Sequence, residues 1–215
     1  MAIITIHGLL GSGALETGRE VAKRLQVDYI DREIIGEVAA RLHRQEQEVI
    51  AKEMPPSSLL GRIAEALEHS YAFGDALAGA YLSMGQIPLD DARYLEALKS
   101  VVGKLARSHP LVILGRGSQF ILKDHPGVFH VLVVAPLEVR VKRVMEAPKV
   151  DQETARLEIT RSDRSLRQFF KRYFKAELED PLSYDLVINT EHFGFQAAAS
   201  IVVNALPFKD QTVGG

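Results

Sequence analysis

Glycine and serine between residues 8 and 13, in the stretch HGLLGSGALE, are the residues best placed to do chemistry. Gly8, Gly11, Ser12 and Gly13 follow an apolar, β-branched run (Ile3, Ile4, Thr5, Ile6) and precede a segment of helical period. A strand that breaks into a glycine turn and then a helix gathers backbone N–H groups at a helix N-terminus. Such an end carries about half a positive charge and suits a phosphate. Against the phosphate-loop pattern G-x-x-x-x-G-K-[ST], Gly8 and Gly13 fall in place, whereas Ala14 stands at the lysine position and Leu15 at the hydroxyl position. The same residues fit a plain strand-to-helix turn. More loosely they fit a dinucleotide-binding turn, because Asp31 lies about 20 residues on, although the spacing is not G-x-G-x-x-G.

Arg116 sits between Gly115 and Gly117, directly after a short apolar run at 111–114. Parallel sheets bind ligands beyond the carboxyl ends of their strands, and a guanidinium there grips a phosphate through two parallel hydrogen bonds. A surface arginine in a loop is the plainer alternative. Arg161, Arg164 and Arg167, with Lys171 and Arg172, step mostly by three or four and are interleaved with Phe169, Phe170, Tyr173 and Phe174. Three readings compete: an arginine–aromatic patch for nucleic acid, a lid that brings charge onto a transferring phosphoryl group, and a solvated helix face. Arg161, Arg164 and Arg167 are retained as candidates. His7 either touches a ligand at the loop mouth or packs in the turn. Asp31, Asp90 and Asp91 are candidate magnesium or substrate carboxylates, and Asp90 or Asp91 serves equally well as a helix cap. The histidines show no metal-binding spacing, so metal ligands are unknown.

Positioning these groups requires strands and helices in alternation. Apolar runs at 3–6, 27–30, 111–114, 128–135 and 185–189 read as strands, and helical periods at 14–25, 34–42, 118–123, 136–145, 151–179 and 195–206 separate most of them. Alternation of this kind implies a parallel sheet. In the helix begun by Pro136, Leu137, Val141, Val144 and Met145 are expected inward and Glu138, Arg140, Lys142 and Arg143 outward. Residues 44–107 lack a strand pattern and read as a helical insertion whose last part, with Tyr94, Leu98, Val101 and Val102, is a well-formed helix.

The 215 residues, 47% of them hydrophobic, are enough for one well-buried α/β domain. Lysine plus arginine (26) against aspartate plus glutamate (28) leave a net charge of -2, so no global basic field draws in nucleic acid or an anionic membrane. Any anion site is therefore local. Cysteine is absent, which removes disulfides, thiolate nucleophiles and cysteine metal sites and fits a reducing cytoplasm. No apolar stretch approaches about 18 residues, and no basic, apolar leader precedes the first strand. The expectation is a soluble, unprocessed, cytoplasmic protein.

In this order, ITIHGLLGSGALETGREVAKRL, DYIDREII, VILGRGSQFIL, VFHVLVVAPLEVRVKRV, TRSDRSLRQFFKRYF and DPLSYDLVINT resemble the cytidylate-kinase-like proteins, a branch of the P-loop nucleoside-monophosphate kinases. The resemblance runs from residue 2 to 206. It implies an α/β P-loop kinase three-layer sandwich with a central parallel five-stranded sheet. A single domain, 1–206, would carry a helical acceptor-binding insertion at 44–107 and a lid at 151–179, followed by a tail at 207–215. The implied activity is transfer of the ATP γ-phosphoryl group to CMP or a related acceptor with Mg2+. Nucleotides are then the partners, nucleic acid and membrane are not, and a homo-oligomer is left open.

Motif by motif, Gly8, Gly11, Ser12 and Gly13 fall on the ATP phosphate loop, and Asp31 and Arg32 lie at the acceptor-side turn. Arg116 matches the arginine of the family's GR motif. Arg161, Asp163 and Arg164 resemble the lid motif, whose arginines neutralise phosphates, and Arg167 is offset by one from the usual pattern. Two departures stand out. Without a lysine at position 14 the phosphates lose a charge-assisted hydrogen bond of about 1.5 to 3 kcal/mol, and loss of one transition-state donor typically slows a reaction about 10² to 10³ fold. Leu15 removes the usual protein ligand of magnesium. A nucleotide-binding or phosphate-responsive interaction protein without turnover suits these departures, and the dinucleotide-binding enzyme suggested by the glycine turn and Asp31 is a third, weaker reading.

Overall fold

The structure, a computed structural model, describes residues 2–31, 33–42, 46, 49, 91–146 and 150–209. Arg32, Asp90 and most of the expected insertion lie outside the described residues. The apolar runs become strands: β1 (Ile3–Gly8), β2 (Asp28–Ile30), β3 (Leu111–Leu114), β4 (Val128–Val134) and β5 (Leu186–Asn189). Between them run α1 (Ala14–Leu25), α2 (Glu33–Leu42), α3 (Asp91–Ser108), the short α4 (Ser118–Ile121), α5 (Leu137–Val144), α6 (Gln152–Phe174) and α7 (Phe195–Ala205).

All five strands are parallel and lie in the order β2-β3-β1-β4-β5. Ile6 pairs with Leu114 of β3 and with Val131 of β4, so the strand that leads into the glycine loop is central. Because helices cover both faces, the central strands are buried on both sides. Ile4 and Ile6 pack with α1 and α7, while Ile3 packs with α2, α3 and α6. Thr5 and His7 share the face of Ile3 by the period of two. Thr5 Oγ1 reaches His130 Nδ1 at 2.7 Å, which satisfies one polar pair inside this layer.

The order excludes the dinucleotide alternative in its usual form. In that fold the first two strands are neighbours, and the acid ending the second strand reaches the ribose. Here β3 separates β1 from β2, which places Asp31 about two strand spacings, roughly 10 Å, to the side.

Helix α3 is built into the core, with Tyr94, Leu98, Val101 and Val102 buried. Its first residue, Asp91, accepts from Arg172 Nε at 2.7 Å and from Tyr173 OH at 3.0 Å, which ties it to the end of α6. Helix α6 starts at Asp151, whose carboxylate accepts from Thr154 N at 2.8 Å as an N-cap. Its aromatic residues do not form a patch for nucleic-acid bases. Phe169, Phe170 and Tyr173 are buried against Tyr94 and the sheet, and Phe174 stacks on Phe120 with centroids 5.4 Å apart. Each such ring contributes about 1.5 to 3 kcal/mol by leaving water. No helix among the described residues is long and apolar enough to cross a membrane.

Candidate functional site

The loop after β1 turns on two left-handed glycines, Gly11 (φ 77°) and Gly13 (φ 88°). A Cβ on Gly11 would lie 2.8 Å from Arg140 O, and one on Gly13 would lie 2.4 Å from the Phe195 ring, so both positions demand glycine for space as well as for φ. Ser12 N donates to Leu9 O at 2.9 Å and closes the turn. Gly13 is the N-cap of α1 without a side-chain cap, and the first helical hydrogen bond is Thr17 N to Gly13 O at 3.0 Å. The amides of residues 13–16 therefore lack an intrahelical acceptor, the arrangement that receives an anion. Ala14 is buried at the lysine position, and Ser12 Oγ and Thr17 Oγ1 are buried without a hydrogen-bond partner.

The outer side of the loop is held by α5 and by the residue after β5. Arg140 Nε donates to Leu10 O at 2.7 Å. The rest of its guanidinium makes a two-pronged pair with Asp163 of α6, at 2.9 and 2.6 Å. Arg143 Nη1 donates to Gly11 O at 3.1 Å and Ser12 O at 3.0 Å, and Thr190 Oγ1 donates to Ser12 O at 2.6 Å. Three successive loop carbonyls thus face outward onto donors. This corrects the expected facing of α5. Arg140 is 5% exposed rather than outward, whereas Leu137 (44%) and Met145 (39%) are exposed rather than inward. The physical reason is that α5 packs partly on loop backbone, whose carbonyls need donors that an apolar stripe cannot supply.

Across β1, the turn after β3 carries Arg116. Gly115, Arg116 and Gly117 are all left-handed, with φ of 66°, 59° and 67°. For the arginine this conformation costs roughly 1 to 2 kcal/mol, a strain of the kind that persists where a side chain must be aimed. Arg116 Nη2 lies 3.3 Å from Asp31 Oδ1, so the structure brings together two of the residues expected on the acceptor side. Gly117 is also required sterically, since a Cβ there would meet Phe174 Cε2 at 2.3 Å. Gly117→Ala is expected to cost about 2 to 4 kcal/mol, measured as a lowered denaturant midpoint with an unchanged slope.

His7 lies between these two turns. Its ring is 5.0 Å from that of Phe170, edge to face, and both nitrogens are buried without a hydrogen-bond partner. Burial, with a smaller contribution from the Arg116 charge, pushes the imidazole from 6.5 to about 3. His130 follows the same direction, to about 4, chiefly through burial. Between pH 3 and 6.5 the unfolded chain binds a proton at His7 that the folded chain refuses, so this part of the stability is complete above 6.5 and lost as pH falls toward 3. Urea titrations at successive pH values are expected to show stability falling over that window. His7→Leu removes up to about 1.4 kcal/mol per pH unit of the slope.

The lid candidates do not meet the loop through their ion pairs. Arg161 Nη1 lies 3.3 Å from Glu158 Oε1, and Arg167 Nη2 lies 2.7 Å from Glu179 Oε2. Arg164 is exposed and makes no ion pair among the described residues. Asp163 turns to Arg140 rather than to the lid arginines. No group of three histidine, aspartate or glutamate side chains among the described residues is arranged to hold a metal ion. With Leu15 at the hydroxyl position and Thr17 sealed in the helix, the described side chains do not build a magnesium cage. Arg140 and Arg143 read in the sequence as outward helix residues, and Thr190 is not among its candidates. Only Thr190 carries a positional signal, because it follows the carboxyl end of a parallel strand, as Asp31 and Gly115 do.

The model of the Cytidylate kinase-like family matches residues 3–192. A cytidylate kinase of Staphylothermus marinus is 25% identical over 205 residues, covering 94% of this chain and 94% of that protein. One of Sulfolobus acidocaldarius is 31% identical over 98 residues, which span 42% of this chain and 54% of that protein. Among solved structures, an uncharacterized protein from Eubacterium ventriosum ATCC 27560 aligns with a TM-score of 0.68 at 18% identity, covering 96% of this chain and 99% of that chain. That last likeness is one of fold.

Proposed function

The chain belongs to the Cytidylate kinase-like family, and from that premise we propose that it moves the γ-phosphoryl group of ATP onto a nucleoside monophosphate of the CMP type. Its fold is the α/β P-loop kinase sandwich. One observation carries the reading: adjacent strands β1 and β3 end side by side, one in an uncapped glycine loop and the other in a strained turn presenting Arg116. Donor and acceptor phosphates held at neighbouring strand ends, which are about 4.8 Å apart, are close enough for in-line transfer.

In that reaction an acceptor phosphate oxygen bonds to the γ-phosphorus, the bond to the β–γ bridging oxygen breaks, and ADP leaves with the electron pair. The loop amides around Gly8, Gly11, Ser12 and Gly13 hold the donor phosphates against the α1 N-terminus. Arg116, aimed with Asp31, grips the acceptor phosphate, and Arg32, the next residue in the sequence after Asp31, is assigned to the same phosphate. Arg161 and Arg164 approach from α6 as charge-neutralising groups, Arg167 supports the α6 end through Glu179, and Asp163 acts through Arg140. Positioning and charge neutralisation then carry most of the rate, as is general for phosphoryl transfer. Magnesium accompanying the nucleotide would neutralise phosphate charge, and no step is assigned to a metal held by the protein.

Purified chain incubated with Mg-ATP and each common nucleoside monophosphate is expected to release ADP above background with a pyrimidine acceptor. ATP binding in calorimetry without any ADP release would instead favour the non-catalytic nucleotide-binding reading, which Ala14 and Leu15 motivate.

A further inference from the structure

We propose that Arg143 supplies, from behind the loop, the positive charge that Ala14 does not, and that it is the positioning residue of the phosphate site. The inference rests on the reading of residues 8–13 as a phosphate site.

Arg143 is half-buried and both of its terminal nitrogens are engaged. Besides the carbonyls of Gly11 and Ser12, its Nη1 donates to Thr190 Oγ1 at 2.8 Å and its Nη2 to Thr190 O at 2.8 Å. Its guanidinium carbon lies 4.9 Å from the centre of the Phe195 ring, the same ring that Gly13 abuts. Every one of these partners is neutral. Arg140, three residues earlier, has its charge balanced by Asp163, but no carboxylate pairs with Arg143 among the described residues. A half-buried cation without a counter-ion is costly unless an anion completes it.

The peptide geometry says where that anion belongs. In a planar trans peptide the N–H points opposite to the C=O. Arg143 and Thr190 both bind the Ser12 carbonyl, so the Gly13 N–H is aimed to the other side of the loop. Arg140 on the Leu10 carbonyl does the same for the Gly11 N–H. The cation therefore polarises the peptide group whose amide faces the phosphate, and its field adds to that of the α1 N-terminus. A lysine at position 14 would act from the front of the site. Arg143 acts through one peptide plane from the back, which orients the loop and charges it at once.

The test is calorimetric titration of the full chain with inorganic tripolyphosphate, comparing wild type, Arg143→Gln, Arg143→Lys and Thr190→Val. Glutamine keeps a hydrogen-bond donor and loses the charge, so its affinity is expected to fall about ten- to a hundredfold. Lysine keeps the charge without the fork and is expected to recover at least half of that loss on a logarithmic scale. Thr190→Val removes the hydroxyl that bridges Arg143 Nη1 and Ser12 O but keeps the arginine charge and its contacts to the loop carbonyls, and is expected to cost no more than about fivefold. Arg143→Gln binding within threefold of wild type overturns the inference while leaving the phosphate site standing. Equal losses in the lysine and glutamine variants also overturn it, since loop shape alone would then explain both. If the glutamine variant does not fold, the lysine variant decides: affinity within about tenfold of wild type supports the charge role, and a larger loss contradicts it. Absence of tripolyphosphate binding by wild type removes the phosphate-site reading and this inference with it.

Discussion

Replacing Arg140 with leucine is expected to destabilise the chain by about 3 to 5 kcal/mol, the cost of breaking a buried ion pair from one side. The pair has two short hydrogen bonds, 2.9 and 2.6 Å, and only 6% and 11% of the two side chains is exposed. Leucine would leave the Asp163 carboxylate buried without its cation and Leu10 O without its donor. The double variant Arg140→Leu with Asp163→Leu removes both charges and is expected to recover a large part of the loss, because the attraction between buried charges is mostly spent on their desolvation. Denaturant titrations of the two single variants and the double give the coupling directly. The same variants are expected to weaken phosphate binding, since Arg140 joins the loop to the helix expected to carry the lid. A loss below about 1 kcal/mol in Arg140→Leu, the value of an exposed pair, would mean that this contact does not organise the loop.

Arg116→Ala is expected to lower kcat/KM for the acceptor about 10² to 10³ fold, the usual effect of deleting one donor to the reacting phosphates. Arg116→Lys is expected to recover little of that, because a point charge cannot reproduce a two-pronged grip. Arg116→Gly separates function from folding. It relieves the left-handed strain at φ 59° while losing the side-chain contacts, so its melting temperature is expected to stay within about 4 °C of wild type as activity collapses. A Gly variant as active as wild type would place the acceptor phosphate elsewhere.

Much of the fold was legible in the residues. The run LVIL coincides with β3, and the glycines at 8, 11 and 13 fall where β1 breaks and α1 starts. These features are local: β-branched content, helical period and turn chemistry act within a few residues of each other. The helical period places Arg140 outward because a cation on an amphipathic helix is normally solvated. Its burial depends on Leu10, 130 residues away, and on Asp163, and no periodicity within α5 carries that information. Thr190 and Ser12 meet across 178 residues for the same reason. The aromatic run on α6 looked like a candidate surface because its partners Tyr94 and Phe120 belong to other elements. Asp31 and Arg116 are separate candidates in the sequence, Arg116 from its place after a parallel strand and Asp31 as a carboxylate. That they touch follows from β2 and β3 being neighbours, which the sheet order decides.

Transfer of a labelled γ-phosphoryl group from Mg-ATP to CMP is the most direct measurement of what the chain does. Label is expected to appear in a nucleoside diphosphate in proportion to enzyme and time, and to fall at least tenfold with Arg116→Ala. Label that stays in ATP, or leaves only as inorganic phosphate, with CMP and every other nucleoside monophosphate would contradict phosphoryl transfer as the function of this site.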